Sequence, residues 1–136
     1  MKRIALATAT LLIAQFASAA DLTIHIDDVK NADGSVMVAL FSSAPNFLKK
    51  PMNGATVQAT AGLNTVVIKD LPEGDYAFAV YHDANANGKM DTNQMGIPTE
   101  DYAFSNNAMG KMGPPTFDLA KVTVPAAGLT TRVSVK

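Results

Sequence analysis

Side-chain oxygens recur at alternate positions in one polar stretch of the sequence, residues 83–91. Asp83, Asn85, Asn87 and Asp91 occupy positions 1, 3, 5 and 9 of this stretch, and Gly88 occupies position 6. Calcium loops of the D-x-[DN]-x-[DN]-G type have this spacing, because alternate side chains of a tightly curled chain converge on a cation that prefers about six to eight oxygens. The stretch therefore predicts a calcium site.

The end of the loop departs from the calcium pattern. Position 12, which usually holds a bidentate glutamate, is Gln94. The carbonyl of Lys89 would supply the backbone ligand, and Glu100 or Asp101 would have to fold back to complete the shell. The alternative is a polar turn without an ion, because Asn87 followed by glycine is a favoured pair for a type I′ turn.

Methionine suggests a second chemistry. The chain has seven methionines, and Met90, Met95, Met109 and Met112 lie in or near the segment that contains the polar stretch. Thioether sulfur with imidazole is a ligand set for Cu(I), so these residues together with His82 indicate periplasmic copper handling as an alternative function. Methionine also fills irregular apolar gaps, so packing is the competing interpretation.

The pair formed by His82 and Asp83 raises the question of catalysis. Adjacent residues at the end of a strand point to opposite faces, and no GxSxG serine accompanies the pair. A hydrolase centred on His82 is therefore the least favoured function, and we expect no enzyme. We expect His82 to organise the loop by bonding a backbone group, Asn106 or Asn107.

Strands are expected to hold these residues, because apolar residues recur at period two and turn residues separate the runs. Seven strands are predicted, at residues 22–27, 35–41, 55–60, 65–71, 75–82, 121–124 and 129–135. Residues 42–45 offer a helix start and residues 46–50 its continuation before Pro51, so any helix there is limited to about two turns. This pattern predicts an all-β fold, a seven-stranded Greek-key β-sandwich. Both faces of the strands at 35–41 and 75–82 are apolar, so the long segment 83–117 is expected to be an ordered loop covering one sheet.

Residues 1–20 have the layout of a secretory signal peptide. Lys2 and Arg3 precede an apolar run, and small residues at 17–20 precede Asp21. The apolar run is too short to cross a bilayer. We predict a single mature domain of residues 21–136 that is periplasmic or secreted from a bacterium, without membrane insertion after cleavage.

Composition excludes several classes of protein. The 136 residues include 11 Lys and Arg against 12 Asp and Glu, for a formal charge of −1, and no cysteine. A nucleic-acid binder would carry a basic excess, and disulfide or thiolate chemistry requires cysteine. We expect a monomer with a ligand or envelope partner that the sequence does not name.

Several ordered motifs carry a resemblance to known proteins. Residues 71–80 resemble the strand entry of transthyretin-like and immunoglobulin-like modules. Residues 81–91, 96–98 with Glu100, 104–107 and 114–117 together resemble the domain of unknown function 2141 family of secreted bacterial proteins. The resemblance implies a small exported β-sandwich without an assigned activity. We accordingly predict a non-catalytic binding or structural module of the cell envelope, with a calcium-binding loop at residues 83–94.

Overall fold

The computed structural model describes residues 19–136, so the predicted signal peptide lies outside the described residues except for Ala19 and Ala20. The fold is all-β, as predicted, with two packed sheets. Within this range there are eight strands: β1 (Ala19–Val29), β2 (Ser35–Phe41), β3 (Asn53–Gln58), β4 (Gly62–Pro72), β5 (Gly74–Asp83), β6 (Tyr102–Phe104), β7 (Val122–Val124) and β8 (Leu129–Ser134). The predicted number of seven was wrong because β6, inside the predicted loop, is too short to show a period of two.

The first strand lies at the centre of the first sheet, whose strand order is β4-β1-β8. It runs antiparallel to β4 and parallel to β8. The second sheet has the antiparallel order β3-β2-β5-β6, and β7 pairs with the first residues of β5. The long polar segment leaves the sandwich at the end of β5 and returns to the same sheet as β6.

The main core lies between the two sheets, where alternate side chains of each strand meet. Leu22, Ile24 and Ile26 of β1 are fully buried with Phe78 and Val80 of β5. Each such side chain contributes about 1.5–3 kcal/mol by leaving water. The buried hydrophobic residues of the described chain include no methionine.

The outer face of the second sheet carries a smaller apolar cluster at one end. Phe47 packs edge-on against Phe41 at 5.4 Å and against Phe117 at 5.9 Å between ring centroids. Phe117 begins a single helical turn, α1 (Phe117–Ala120), and Ala120 is buried in the same cluster. The helix expected near residues 46–50 does not form: the chain makes successive turns there, because Leu48 has a left-handed φ of 59° that a helix does not admit.

Candidate functional site

The polar loop begins at Asp83, the last residue of β5, whose side chain is only 2% exposed. Its two carboxylate oxygens accept hydrogen bonds from the backbone N–H groups of Asn87, at 3.2 Å, and Gly88, at 2.8 Å. Gly88 has a left-handed φ of 79°, which glycine adopts at low cost. Asp83 therefore curls the chain back on itself, as the first residue of a calcium loop would.

A second carboxylate, Asp91, lies at the far side of the loop. The side-chain amide of Asn87 donates to it at 2.6 Å, and the amide of Asn85 donates to its other oxygen. These hydrogen bonds lower the pKa of Asp91, the Asn87 bond contributing most. In this arrangement amide N–H groups stabilise the ionised carboxylate, because they present partial positive charge to it.

Glu100 folds back onto the loop from its C-terminal side. Its Oε2 accepts a hydrogen bond from the backbone N–H of Asp91 at 3.1 Å, whereas its Oε1 is buried without a hydrogen-bond partner. Burial raises the pKa of the Glu100 carboxyl, and the nearby charges of Asp91 and Asp83 raise it further. The calcium pattern requires either Glu100 or Asp101 to fold back. Glu100 does so, and Asp101 instead forms a salt bridge with Lys30 at 2.9 Å.

The structure thus brings the predicted ligands to one loop, where the carboxylates of Asp83 and Asp91 accept hydrogen bonds from the loop itself. Within residues 19–136 no group of three or more His, Cys, Asp or Glu side chains is placed so that it could hold a metal ion. The side-chain oxygens of Asn85 and Asn87 accept from the backbone N–H groups of Asn87 and Lys89 and so face their own turns. A 180° rotation of either side-chain amide would exchange the positions of its nitrogen and oxygen without changing the shape of the side chain.

His82 lies on the face of β5 that points into the sandwich, together with Phe78 and Val80. Its Nε2 is 2.7 Å from the backbone carbonyl of Asp33, in the turn between β1 and β2. His82 therefore bonds a backbone group, which is one of the roles predicted for it. The other histidine, His25, is half-buried, with its Nδ1 3.0 Å from the hydroxyl of Thr65.

A small hairpin follows the polar loop and carries Met95 near its tip. Thr92 and Pro98 form an isolated β-bridge at its base. The side chain of Asn93 accepts hydrogen bonds from the backbone N–H groups of Met95, at 2.9 Å, and Ile97, at 3.1 Å. Local hydrogen bonds therefore fix this turn and hold Met95 and Ile97 outward, where both are exposed.

A groove of about 960 Å³ lies between this hairpin, the outer face of β5 and the segment after β6. Ala79 and Tyr81 of β5 line it, and Tyr102 and Phe104 of β6 line it beside them. Its other walls carry four methionines, namely Met90, Met95, Met109 and Met112. Met95, Met109 and Met112 are 79%, 73% and 101% exposed, so they do not fill gaps in a core, as the packing interpretation required.

The remaining two methionines of the described chain line an adjoining groove. Met37 of β2 pairs directly with Tyr81, and with Met52 these residues line a second depression of about 520 Å³. Tyr81 borders both grooves, so all six methionines of residues 19–136 lie around one face of the second sheet. We call this surface the methionine face. His82, by the alternation of β5, points to the opposite side of the sheet and cannot share a ligand with these sulfurs.

The polar motif after β6 has a structural role. The Ser105 hydroxyl accepts a hydrogen bond from the backbone N–H of Phe78 in the buried core, at 3.0 Å. The Asn106 amide donates to the carbonyl of Lys121 at 2.9 Å, and the Asn107 side chain accepts from the backbone N–H of Ser134 at 2.9 Å. Three consecutive side chains thus tie β6 to β5, to the end of α1 and to β8.

Sequence reasoning missed three residues of the site. The sequence places Tyr81 in a strand and in the motif of residues 81–91, but it does not indicate that Tyr81 borders both grooves. The pKa of Tyr81 is raised by burial and then by the charges of Asp83 and Glu100. Met37 and Met52 lie far from the long segment in sequence. The pairing of Met37 with Tyr81 places Met37 on this face, and the backbone N–H of Met52 donates to the Leu40 carbonyl at 2.8 Å, which holds Met52 beside β2. The alternation of Met37 with inward residues was the available signal for its outward position.

None of the helices in the part of the chain that the structure describes is long and apolar enough to cross a membrane. The fold and the site define a small all-β sandwich with a long, internally hydrogen-bonded loop beside a methionine-lined surface. The chain belongs to the family described as uncharacterized protein conserved in bacteria (DUF2141), whose family model matches residues 24–132. This confirms the predicted resemblance. No curated protein and no solved structure matches the chain.

Proposed function

We propose that the chain is an exported, non-catalytic binding module of the bacterial cell envelope and that the methionine face is its binding surface. One observation carries the proposal: the six methionines of the described chain all lie around one face, and none lies in the core. Methionine suits a surface that must adapt to an apolar ligand, because its side chain is flexible and polarisable. Export to the periplasm or the medium rests on the signal peptide predicted at residues 1–20.

The non-catalytic part of the proposal rests on the surroundings of His82. Its Nε2 bonds the Asp33 carbonyl, and the Asp83 carboxylate is already bonded to two backbone N–H groups. A general base must lie within reach of the proton that it abstracts. Both side chains are instead buried, and their hydrogen bonds hold the loop in place. These contacts support a structural role for the His82 and Asp83 pair.

An apolar fluorescent probe, 8-anilinonaphthalene-1-sulfonate, tests the binding surface on the folded protein. With methionine methyl groups labelled with carbon-13, we expect the probe to shift the signals of Met95, Met109 and Met112. Met95→Gln should weaken probe binding, whereas Val67→Gln, which replaces an exposed apolar residue on the other sheet, should leave it unchanged. Equal effects of the two changes, or methionine methyl signals that the probe leaves unshifted, would contradict the proposal.

We also propose that calcium orders the wall of this groove through residues 83–94 and Glu100. Asp83, Asp91 and Glu100 supply carboxylates, Asn85 and Asn87 supply amide oxygens, and Lys89 supplies its carbonyl. The buried, unpartnered Oε1 of Glu100 supports the proposal, because a buried carboxylate oxygen without a partner gains from a cation. The same segment carries Met90, Met95 and Ile97, which line the groove. An ion that fixes the loop would therefore also fix this wall of the groove.

Calcium binding is tested by thermal unfolding of the folded protein with calcium and with EDTA. At tenfold excess over Kd, calcium should stabilise the protein by about 1.4 kcal/mol. Asp91→Asn should abolish this gain, and Asp118→Asn, which changes an exposed carboxylate on α1, should not. An unchanged midpoint of thermal unfolding at millimolar calcium would contradict calcium binding. The loop would then be a polar turn held by its own hydrogen bonds.

Copper handling is the second candidate function. The grouping of four methionines on one groove favours it, and the position of His82 on the other side of the sheet removes the imidazole from the expected ligand set. A copper site on this chain would therefore depend on sulfur alone.

A further inference from the structure

Two separate loops carry sulfur to the same groove. Met90 and Met95 come from the segment between β5 and β6, and Met109 and Met112 come from the segment that follows β6. They are separated along the chain by β6, and they meet because β6 pairs with β5. The grouping is thus produced by the fold and not by a methionine-rich run.

The rest of the groove offers few donors for a hard cation. Its lining includes no carboxylate, imidazole or lysine, and its remaining side chains are aromatic, aliphatic or proline, with the hydroxyls of Tyr81 and Tyr102 as polar groups. Divalent ions such as Ca²⁺ and Zn²⁺ require oxygen, imidazole or thiolate ligands. Thioether sulfur instead suits a soft monovalent ion.

We propose that this groove binds Cu(I) through the thioether sulfurs of Met90, Met95, Met109 and Met112. The inference rests on the proposed function, in which the methionine face is the binding surface, and it names the class of ligand. Three of the four side chains are largely exposed and flexible, so their sulfurs can turn toward one ion. No covalent or redox step is involved, because the ion is bound as Cu(I).

Local structure holds the two donor loops in place. The Asn93 side chain fixes the hairpin that carries Met95. In the other loop the backbone of residue 110 lies so close to residues 113 and 114 that a side chain on Gly110 would overlap their carbonyl oxygens. This tight turn keeps Met109 and Met112 beside the same groove, so Gly110 is a positioning residue for the sulfur donors.

The test is anaerobic competition for Cu(I) between the folded protein and bicinchoninate, with Ag(I) as a probe that does not change oxidation state. Replacing Met95, Met109 and Met112 together by Leu keeps apolar side chains of similar volume and removes three sulfurs. We expect this change to weaken Cu(I) and Ag(I) binding by about 100-fold or more. The double change of Leu63 and Val67 to Ala is the control and should leave both affinities within about twofold, since these exposed apolar side chains lie on β4 of the other sheet.

Two results would overturn the inference. In one, the protein fails to compete with bicinchoninate for Cu(I). In the other, the triple Leu variant, with an unchanged far-ultraviolet circular dichroism spectrum, binds Cu(I) as tightly as the parent. The triple Leu variant should still bind 8-anilinonaphthalene-1-sulfonate, because Leu preserves the apolar surface. In the parent protein, by contrast, probe binding without Cu(I) binding would reject the copper site and retain the binding module.

Discussion

Glu100 accepts a hydrogen bond from the backbone N–H of Asp91 at 3.1 Å through one carboxylate oxygen and leaves the other oxygen buried without a partner. The two residues are nine positions apart, and both carry carboxylates that repel each other when ionised. Asp83 adds a third negative charge nearby, since it also raises the pKa of Glu100. This loop therefore closes at an electrostatic cost that a cation would offset.

Glu100→Gln is expected to have opposite effects with and without calcium. The glutamine oxygen can still accept from Asp91 while the repulsion disappears, so in EDTA the variant should be more stable than the parent by up to about 1 kcal/mol. In calcium it should lose the ligand-dependent gain and fall below the parent. Urea unfolding in both buffers measures the two differences, and Glu73→Gln, in an exposed turn, is the control. A variant that gains as much from calcium as the parent would show that Glu100 is not a ligand.

The same variant isolates a pH dependence in metal-free buffer. Burial raises the pKa of Glu100 in the folded state above its ordinary value of 4.5, which applies in the unfolded state. Between the unfolded-state and folded-state pKa values, the folded state therefore binds more protons than the unfolded state. The free energy of unfolding of the parent relative to Glu100→Gln should consequently fall as pH rises above 4.5 and level off above the folded-state pKa. Asp91, whose pKa is lowered, acts in the opposite direction but is present in both chains. A difference that increases with pH would contradict the assignment.

Ser105→Ala should destabilise the fold, because it leaves the buried N–H of Phe78 without an acceptor. We expect a loss of about 1–3 kcal/mol, which lowers the midpoint of thermal unfolding by roughly 5 °C per kcal/mol. Ser42→Ala, at an exposed position after β2, should change the midpoint by less than about 1 °C. Equal midpoints for the two variants would mean that the Ser105 hydroxyl does not support β5.

Comparing Gly34→Ala with Gly88→Ala distinguishes the cost of a left-handed backbone from the cost of a steric clash. Both glycines have left-handed φ values, 64° and 79°. A methyl group on residue 34 would overlap the carbonyl oxygen of Asp83, whereas one on residue 88 meets no atom within 4 Å. Gly88→Ala should cost about 1 kcal/mol from strain, and Gly34→Ala should cost at least about 3 kcal/mol or prevent folding. Chemical denaturation of both variants measures the difference in the free energy of unfolding. Similar losses of stability would show that residue 34, in the turn before β2, does not lie against the Asp83 carbonyl.

Dilute hydrogen peroxide should oxidise the methionines in the order of their exposure without unfolding the protein. Met95, Met109 and Met112 should form sulfoxides first, and the half-buried Met37 and Met90 should follow. Peptide mass spectrometry gives the order, and circular dichroism follows the fold. Because the core of the described chain contains no methionine, the sheets should persist after complete oxidation. Unfolding in step with the first sulfoxides would refute the exposed placement of these side chains.

The strands were predictable because burial of one face repeats at period two, as Leu22, Ile24 and Ile26 show. The curled loop was predictable for the same local reason, since Asp83 and Gly88 act on neighbouring backbone. β6 was not predictable, because its three residues are held by pairing with β5 and not by their own pattern. The methionine face depends on the same pairing, so only the fold brings Met37 and Met109 to one side of a sheet.

The parallel pairing of β1 with β8 has a consequence for the order of events during synthesis. Residues Leu22 to Asp27 are among the first of the described chain to be made, and their partners, Leu129 to Ser134, are among the last. The central strand of the first sheet therefore has one open edge until residues 129–134 have been made. Contacts this distant in sequence delay closure of a sandwich. The first sheet of the described chain therefore reaches its full width only after β8 has been made.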